Sequence, residues 1–207
     1  WFLGIEPNAF GAIGALERRG VGGLFGSFVD TDQGDSTRYL LYLNQGGLGL
    51  PDESYYSDER FAQVRTDYVE HVARMLALAG VGGTDEGHRV MEVETRLATA
   101  HWNRVATRDA TATYNLMTAD GLTDLVPELP WEQWLGGIGA PSQALDEVVV
   151  RQPSFFSALS TVTLSLVQAF MGIHEQAWIE RVLTVAVALV GLVATWSLDL
   201  GAAGVLA

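Results

Sequence analysis

The sequence predicts a mainly helical domain that carries one small β-hairpin. Three observations lead there. Two long runs, one from Phe61 and one from Val90, repeat apolar residues at the helical period. Two short β-prone runs, Leu24 to Val29 and Arg38 to Leu43, flank a cluster of turn formers. Several shorter stretches carry helix-start and helix-stop residues. The chain has 207 residues, 48% of them apolar and 18% charged. That is enough to bury a sizeable core, and it excludes a disordered or collagen-like chain.

Taken in order, Phe2 to Gly20 read as a helix, with Ile5, Phe10, Ile13 and Leu16 loosely on one face and Gly20 as the stop. The hairpin turns through Asp30-Thr31-Asp32-Gln33-Gly34-Asp35. Gly46, Gly47, Gly49 and Pro51 then break regular structure, and at least one of the three glycines is expected at positive φ. The clearest helix begins after Tyr56. Ser57 is its expected N-cap, and Asp58 and Glu59 suit the positive end of the helix dipole. Phe61, Val64, Tyr68, Val72, Met75 and Ala79 form its apolar face, and Gly80 ends it.

A Val-Gly-Gly turn leads to a second helix, capped by Thr84, with Val90, Val93, Leu97, Ala100 and Val105 along one face. Two long helices with so short a joint should form an antiparallel hairpin. Thr118 is expected to cap a short helix ending before Pro127. Trp131 to Leu135 form another, closed by Gly136 and Gly137. Glu147 to Val150 are a strand candidate, and Pro153 opens a helix over Ser154 to Leu159. The tail differs in kind. From Val182 to Leu198 there is no charge, which is about the lower limit for a membrane-spanning helix. A buried core helix is the competing reading, and both stay open.

Charge and composition narrow the function classes. The net charge is -13 and the isoelectric point is near 4.5, so the chain repels phosphate backbones and nucleic acid is not an expected partner. All 12 cationic residues are Arg, a mark of GC-rich coding. With no Cys, disulfides, thiolate metal sites and a Cys nucleophile are excluded. The four histidines are His71, His88, His101 and His174, so a multi-histidine metal centre would need most of them. The chain opens at Trp1 with no basic segment before an apolar one. The expectation is therefore a fragment or processed product without a visible signal peptide, with its address left open between cytoplasm and cell envelope.

The chemistry-bearing motifs resolve mostly into structural readings. His174-Glu175-Gln176-Ala177-Trp178 begins like the H-E-x-x-H helix of zinc peptidases, but Trp178 stands where the second imidazole must be, and an indole cannot ligate zinc. Glu94 and His101, seven apart on one helix, could form an acid–base pair; a hydrogen-bonded polar pair beside the helix packing is the preferred reading. Glu92 and Arg96 lie four apart. Asp30, Asp32 and Asp35 resemble the start of a calcium loop, yet Gly34 and Leu41 occupy positions that need oxygen ligands, so a solvated turn is expected. The Gln45 to Pro51 glycine run lacks the third glycine of a nucleotide-binding fingerprint. Trp131 and Trp134 are expected as core anchors before pocket walls.

Three stretches then stand together: FGSFVDTDQGDSTRYLLYLNQGGLGLPDESYYSDE, VMEVETRLATAHWNRVATRDATATYNLMT and EVVVRQPSF. In this order they resemble the N-terminal helical domain of the neprilysin-family zinc metallopeptidases, from about Gly14 to Leu159, with QGGLGLPDESYY the most specific part. The resemblance implies a capping lobe of a two-lobed endopeptidase that acts on peptides within an internal cavity. It also implies that zinc, the H-E-x-x-H motif, a further Glu ligand and an N-A-[YF] substrate-binding strand lie in a C-terminal lobe. None of these falls in the matched stretches. Asn8-Ala9-Phe10 spells N-A-F but precedes them and is read as coincidence. The resemblance therefore assigns no catalytic residue, no metal ligand, no substrate-binding residue and no cofactor to this chain. Its absence of Cys is closer to bacterial members of the family.

After about Ser160 the resemblance is lost. The expected organisation is a family domain over 1–160 and a divergent apolar tail over 161–207, from a frameshift, a truncation or a fusion. Alternatives to an inactive peptidase lobe are a non-catalytic, membrane-tethered peptide-binding module, motivated by Val182 to Leu198, and a decayed gene product.

Overall fold

The computed structural model describes residues 9–80 and 82–159. Its elements run α1 (Ala9–Glu17), β1 (Phe25–Thr31), β2 (Tyr39–Gln45), α2 (Ser54–Ser57), α3 (Ala62–Leu78), α4 (Thr84–Ala100), β3 (Leu116–Thr118), α5 (Ala119–Leu125), α6 (Trp131–Ile138) and β4 (Glu147–Val150). Residues 153–159 are helical, with Pro153 in the first position. The fold is mainly helical with a small β part, as the sequence predicts.

The predicted hairpin is present: β1 and β2 pair antiparallel from Phe25 opposite Gln45 to Thr31 opposite Tyr39. It does not stand alone. β4 pairs parallel to β2, β3 pairs antiparallel to β4, and the sheet order is β1-β2-β4-β3. Val148, Val149 and Val150 are fully buried. A continuous apolar run of this kind belongs to a strand covered on both faces, not to an isolated one. β3 went unpredicted because Leu-Met-Thr is too short to show a period.

One sheet face carries Phe25, Leu43, Val148 and Val150 into the main core, where Leu97, Trp131, Trp134 and Phe156 meet them. The Phe25 ring lies 5.6 Å from Trp131, 5.2 Å from Trp134 and 5.6 Å from Phe156. Both tryptophans are thus core anchors, as expected. The opposite face carries Leu40, Tyr42 and Val149, covered by Tyr114.

The paired helices form, with Gly87 of α4 against Val69 and Ala73 of α3. Their buried faces are Tyr68, Val69, Val72 and Leu76, and Gly87, Glu94, Leu97 and Ala98. Of the residues assigned to these faces, Tyr68, Val72 and Leu97 are buried and Val64, Val90, Val93 and Ala100 are partly buried, while Phe61 precedes α3, Ala79 is exposed, and Val105 lies beyond the end of α4, also exposed. Ser57 closes the single turn α2 instead of capping the long helix. The Asp58 carboxylate caps the short 3-10 turn Glu59–Phe61 that leads into α3, accepting from the Arg60 amide at 2.9 Å, and α3 itself starts after Phe61 without a side-chain cap. Gly83 replaces Thr84 at the start of α4, where the Glu86 carboxylate accepts from the Gly83 amide at 2.8 Å. Thr118 caps α5 as predicted, its hydroxyl accepting from the Gly121 amide at 3.2 Å.

Gly136 and Gly137 do not close α6. The helix runs through them to Ile138 and stops at Gly139, whose φ of 77° is left-handed. The reason is α1, which crosses α6 at that point. A Cβ on Gly137 would collide with the Gly11 carbonyl, and one on Gly14 would collide with the Trp134 carbonyl and lie 2.8 Å from the Ile138 amide nitrogen. These glycines serve close approach, not termination. Of the Phe2 to Gly20 helix, Ala9–Glu17 is seen, and the rest upstream lies outside the described residues.

Candidate functional site

A buried polar cluster surrounds Glu94. On an otherwise apolar helix face, its carboxylate is buried yet fully engaged. The Tyr68 hydroxyl donates to Oε1 at 2.8 Å, and the Tyr56 hydroxyl donates to Oε2 at 2.5 Å. The Gly49 amide donates to Oε2 at 3.1 Å. The Tyr56 oxygen in turn accepts from the amides of Gly49, at 3.1 Å, and Leu50, at 2.9 Å. Burial pushes the Glu94 carboxyl upward, opposed by the two tyrosine hydroxyls. Burial beside that carboxylate pushes both tyrosines up as well.

The partner of this cluster is the glycine strap from Gln45 to Pro51. Gln45 trades two hydrogen bonds with Trp102, its amide donating to the Trp102 carbonyl at 2.9 Å and its oxygen accepting from the Trp102 amide at 2.8 Å. Its own backbone amide donates to the Gln152 side chain at 2.9 Å. The His101 ring Nε2 lies 2.9 Å from the Gly46 carbonyl, and burial lowers the histidine's proton affinity. Gly47 takes φ of 80°, as the expectation of a positive-φ glycine required. Glu94 and His101 therefore do not pair with each other: each holds a different point of one strap. The three donors tie the Glu94 side chain to the strap and to α2 and α3. The cluster fixes a loop.

The aspartate turn also departs from expectation. Asp32 is buried, not solvated. It accepts from the Tyr114 hydroxyl at 2.6 Å, from the Gly34 amide at 2.8 Å and from Arg38 Nε at 2.7 Å, while Arg38 also pairs with Glu147 of β4. Asp35 accepts from the Thr37 amide and hydroxyl, and Asp30 from the Thr31 amide. Glu92 and Arg96 form an exposed ion pair at 2.6 Å. His174, Glu175 and the Val182 to Leu198 run lie outside the described residues, as does Asn8. Among the described residues no group of three or more His, Asp or Glu side chains is placed to hold a metal ion, and no helix is long and apolar enough to cross a membrane.

Sequence reasoning singled out Glu94 and His101 but missed Tyr56, Tyr68, Gln45 and Gln152. Tyr68 belongs by its spacing to an apolar stripe. Its position on the same buried interface as Glu94 was the available signal, since a buried carboxylate must find donors.

The strap just described is built by the QGGLGLPDESYY segment, and the family model of peptidase family M13 matches residues 6–174. The chain belongs to peptidase family M13. The match begins before Gly14 and runs past Ser160. Neprilysin-3 of Drosophila melanogaster is 28% identical over 158 residues, covering 72% of this chain and 20% of its own length. Endothelin-converting enzyme 1 of Bos taurus is 27% identical over 145 residues, covering 67% of this chain and 19% of its own. The M13 chain thus spans about a fifth of the length of these curated relatives. In three dimensions it is similar to the inhibitor-bound Mycobacterium tuberculosis zinc metalloprotease Zmp1, with a TM-score of 0.76 and 37% identity over 89% of this chain and 28% of that one. The open state of that protease gives a TM-score of 0.74 at 36% identity. PepO of Lactobacillus rhamnosis shares the fold, with a TM-score of 0.59 at 19% identity.

Proposed function

We propose that this chain is the N-terminal lobe of an M13 zinc metalloendopeptidase that cleaves peptides, and that zinc and the catalytic groups come from a lobe outside it. The observation that carries this reading is the 37% identity over 89% of the chain to a zinc metalloprotease of which it covers only 28%. The described residues do not fit a zinc site themselves. Glu94 is engaged by three donors, and His101 is committed to the Gly46 carbonyl. A catalytic zinc needs three protein ligands that converge on one point and leave a position open. No catalytic step is assigned to this chain.

In this reading residues 1–160 form the lobe and the apolar tail is a separate segment. The family match to residue 174 puts the change of composition near Ser160 inside the matched range. Two measurements test the assignment. The genomic sequence from the Ser160 codon onward should encode H-E-x-x-H in some frame, and its absence from all frames would overturn the reading. The purified chain should not hydrolyse a quenched fluorescent peptide with added zinc. Chelator-sensitive turnover, abolished by His174→Ala, would show that the chain carries its own catalytic site.

A further inference from the structure

The α1–α6 crossing holds a carboxyl that none of the roles above uses. Glu17 is the last residue of α1. Its Oε2 accepts from the Trp134 indole N–H at 2.7 Å, and its Oε1 is buried without a hydrogen-bond partner. The slot is tight: a Cβ on Gly23 would collide with Oε1 and lie 3.1 Å from Ile13 Cγ2. Among the described residues the surroundings supply no cation. Residues 21–24 are Val-Gly-Gly-Leu, and α6 offers the indole. The Arg18 guanidinium lies against Gly139, and Arg19 is exposed. Glu132, the acidic residue of α6, is exposed and lines a separate cleft with Asp120 and Asp146. Among the described residues no ion pair reaches Glu17.

Three independent features thus disfavour the carboxylate in this slot. It is desolvated, one oxygen is unpaired, and it sits at the negative end of a helix. The helix cannot adjust by sliding, because glycine contacts lock α1 against α6.

We propose that Glu17 is a proton-operated latch between α1 and α6. Protonated, it stays in the slot and gives Trp134 its acceptor. Ionised, it releases its proton to bulk water, its carboxylate swings to solvent, and the last turn of α1 loosens. Burial pushes the carboxyl from the ordinary 4.5 up to about 7, so the latch works near neutrality. Because the folded value is raised, its stabilisation is complete below the ordinary value and is lost as pH rises through about 7.

The test uses the full chain and does not depend on its being a peptidase lobe. The Trp134 indole N–H resonance is followed by NMR across neutral pH, together with hydrogen exchange of the Arg18 and Gly20 amides, which donate to the Gly14 and Glu17 carbonyls. The indole should titrate with a midpoint near 7. Amide protection, corrected for intrinsic exchange, should fall roughly tenfold across that transition. Both responses should vanish in Glu17→Gln. An indole that does not titrate, or one that titrates identically in Glu17→Gln, overturns the latch. Should the variant not fold, the carbon resonance of the wild-type Glu17 carboxyl decides, and a midpoint at the ordinary carboxylate value overturns it.

Discussion

Gly49 lies directly beneath the Tyr68 hydroxyl, so close that a Cβ at position 49 would collide with that oxygen and lie 3.2 Å from Glu94 Oε1. The tyrosine cannot give way, since it is buried and bonded to Glu94. Gly49→Ala should therefore destabilise by about 1 to 3 kcal/mol. Tyr68→Phe should cost a similar amount, about 1 to 3 kcal/mol, by leaving a buried carboxylate oxygen without its donor. Urea denaturation of both variants checks this, and wild-type midpoints would show that the strap is not held as described.

The core face of α4 is tested at adjacent positions. Leu97 is buried in the main cluster, so Leu97→Ala should cost about 2 to 5 kcal/mol. Arg96 makes an exposed pair with Glu92, and Arg96→Ala should change stability by less than about 1 kcal/mol. Equal losses in chemical denaturation would mean that the wrong face has been assigned to the core.

Two neighbouring glycines of α6 should respond with opposite signs. Nothing lies within 4 Å of a Cβ on Gly136, so Gly136→Ala should stabilise by about 0.5 to 1 kcal/mol through helix propensity. Gly137 faces the Gly11 backbone, and Gly137→Ala should destabilise by more than about 1 kcal/mol, because main chain cannot move aside as a side chain can. Thermal melts of the two variants that shift in the same direction would refute the close-approach account.

The hairpin turn should carry an acid-dependent term. The Tyr114 hydroxyl first, then the Gly34 amide and Arg38, hold the Asp32 carboxyl below its ordinary 3.8. A depressed carboxylate contributes stability that is present above the ordinary value and is lost as pH falls through the folded one. Stability of the wild type should therefore drop below about pH 4 more steeply than that of Asp32→Asn. Parallel acid-denaturation curves would show that Asp32 is not the group responsible.

Local chemistry determines much of this protein. Helical periodicity from Val64 to Leu97, the Thr118 cap and the turn formers between two β-prone runs depend only on neighbours a few residues apart. So they were legible in the sequence, as was the family resemblance carried by QGGLGLPDESYY. Tertiary structure decided the rest. The parallel pairing of β4 with β2 joins Leu43 to Val150, and no local pattern encodes a partner that distant. Gly136 and Gly137 read as a helix stop because glycine usually is one; only the passage of α1 overhead turns Gly137 into a contact. Glu94 and His101 share a helix face, which the spacing shows, but the strap that separates their roles arrives from another part of the chain. A buried polar group takes whichever partner the fold brings to it, and that choice is made by packing.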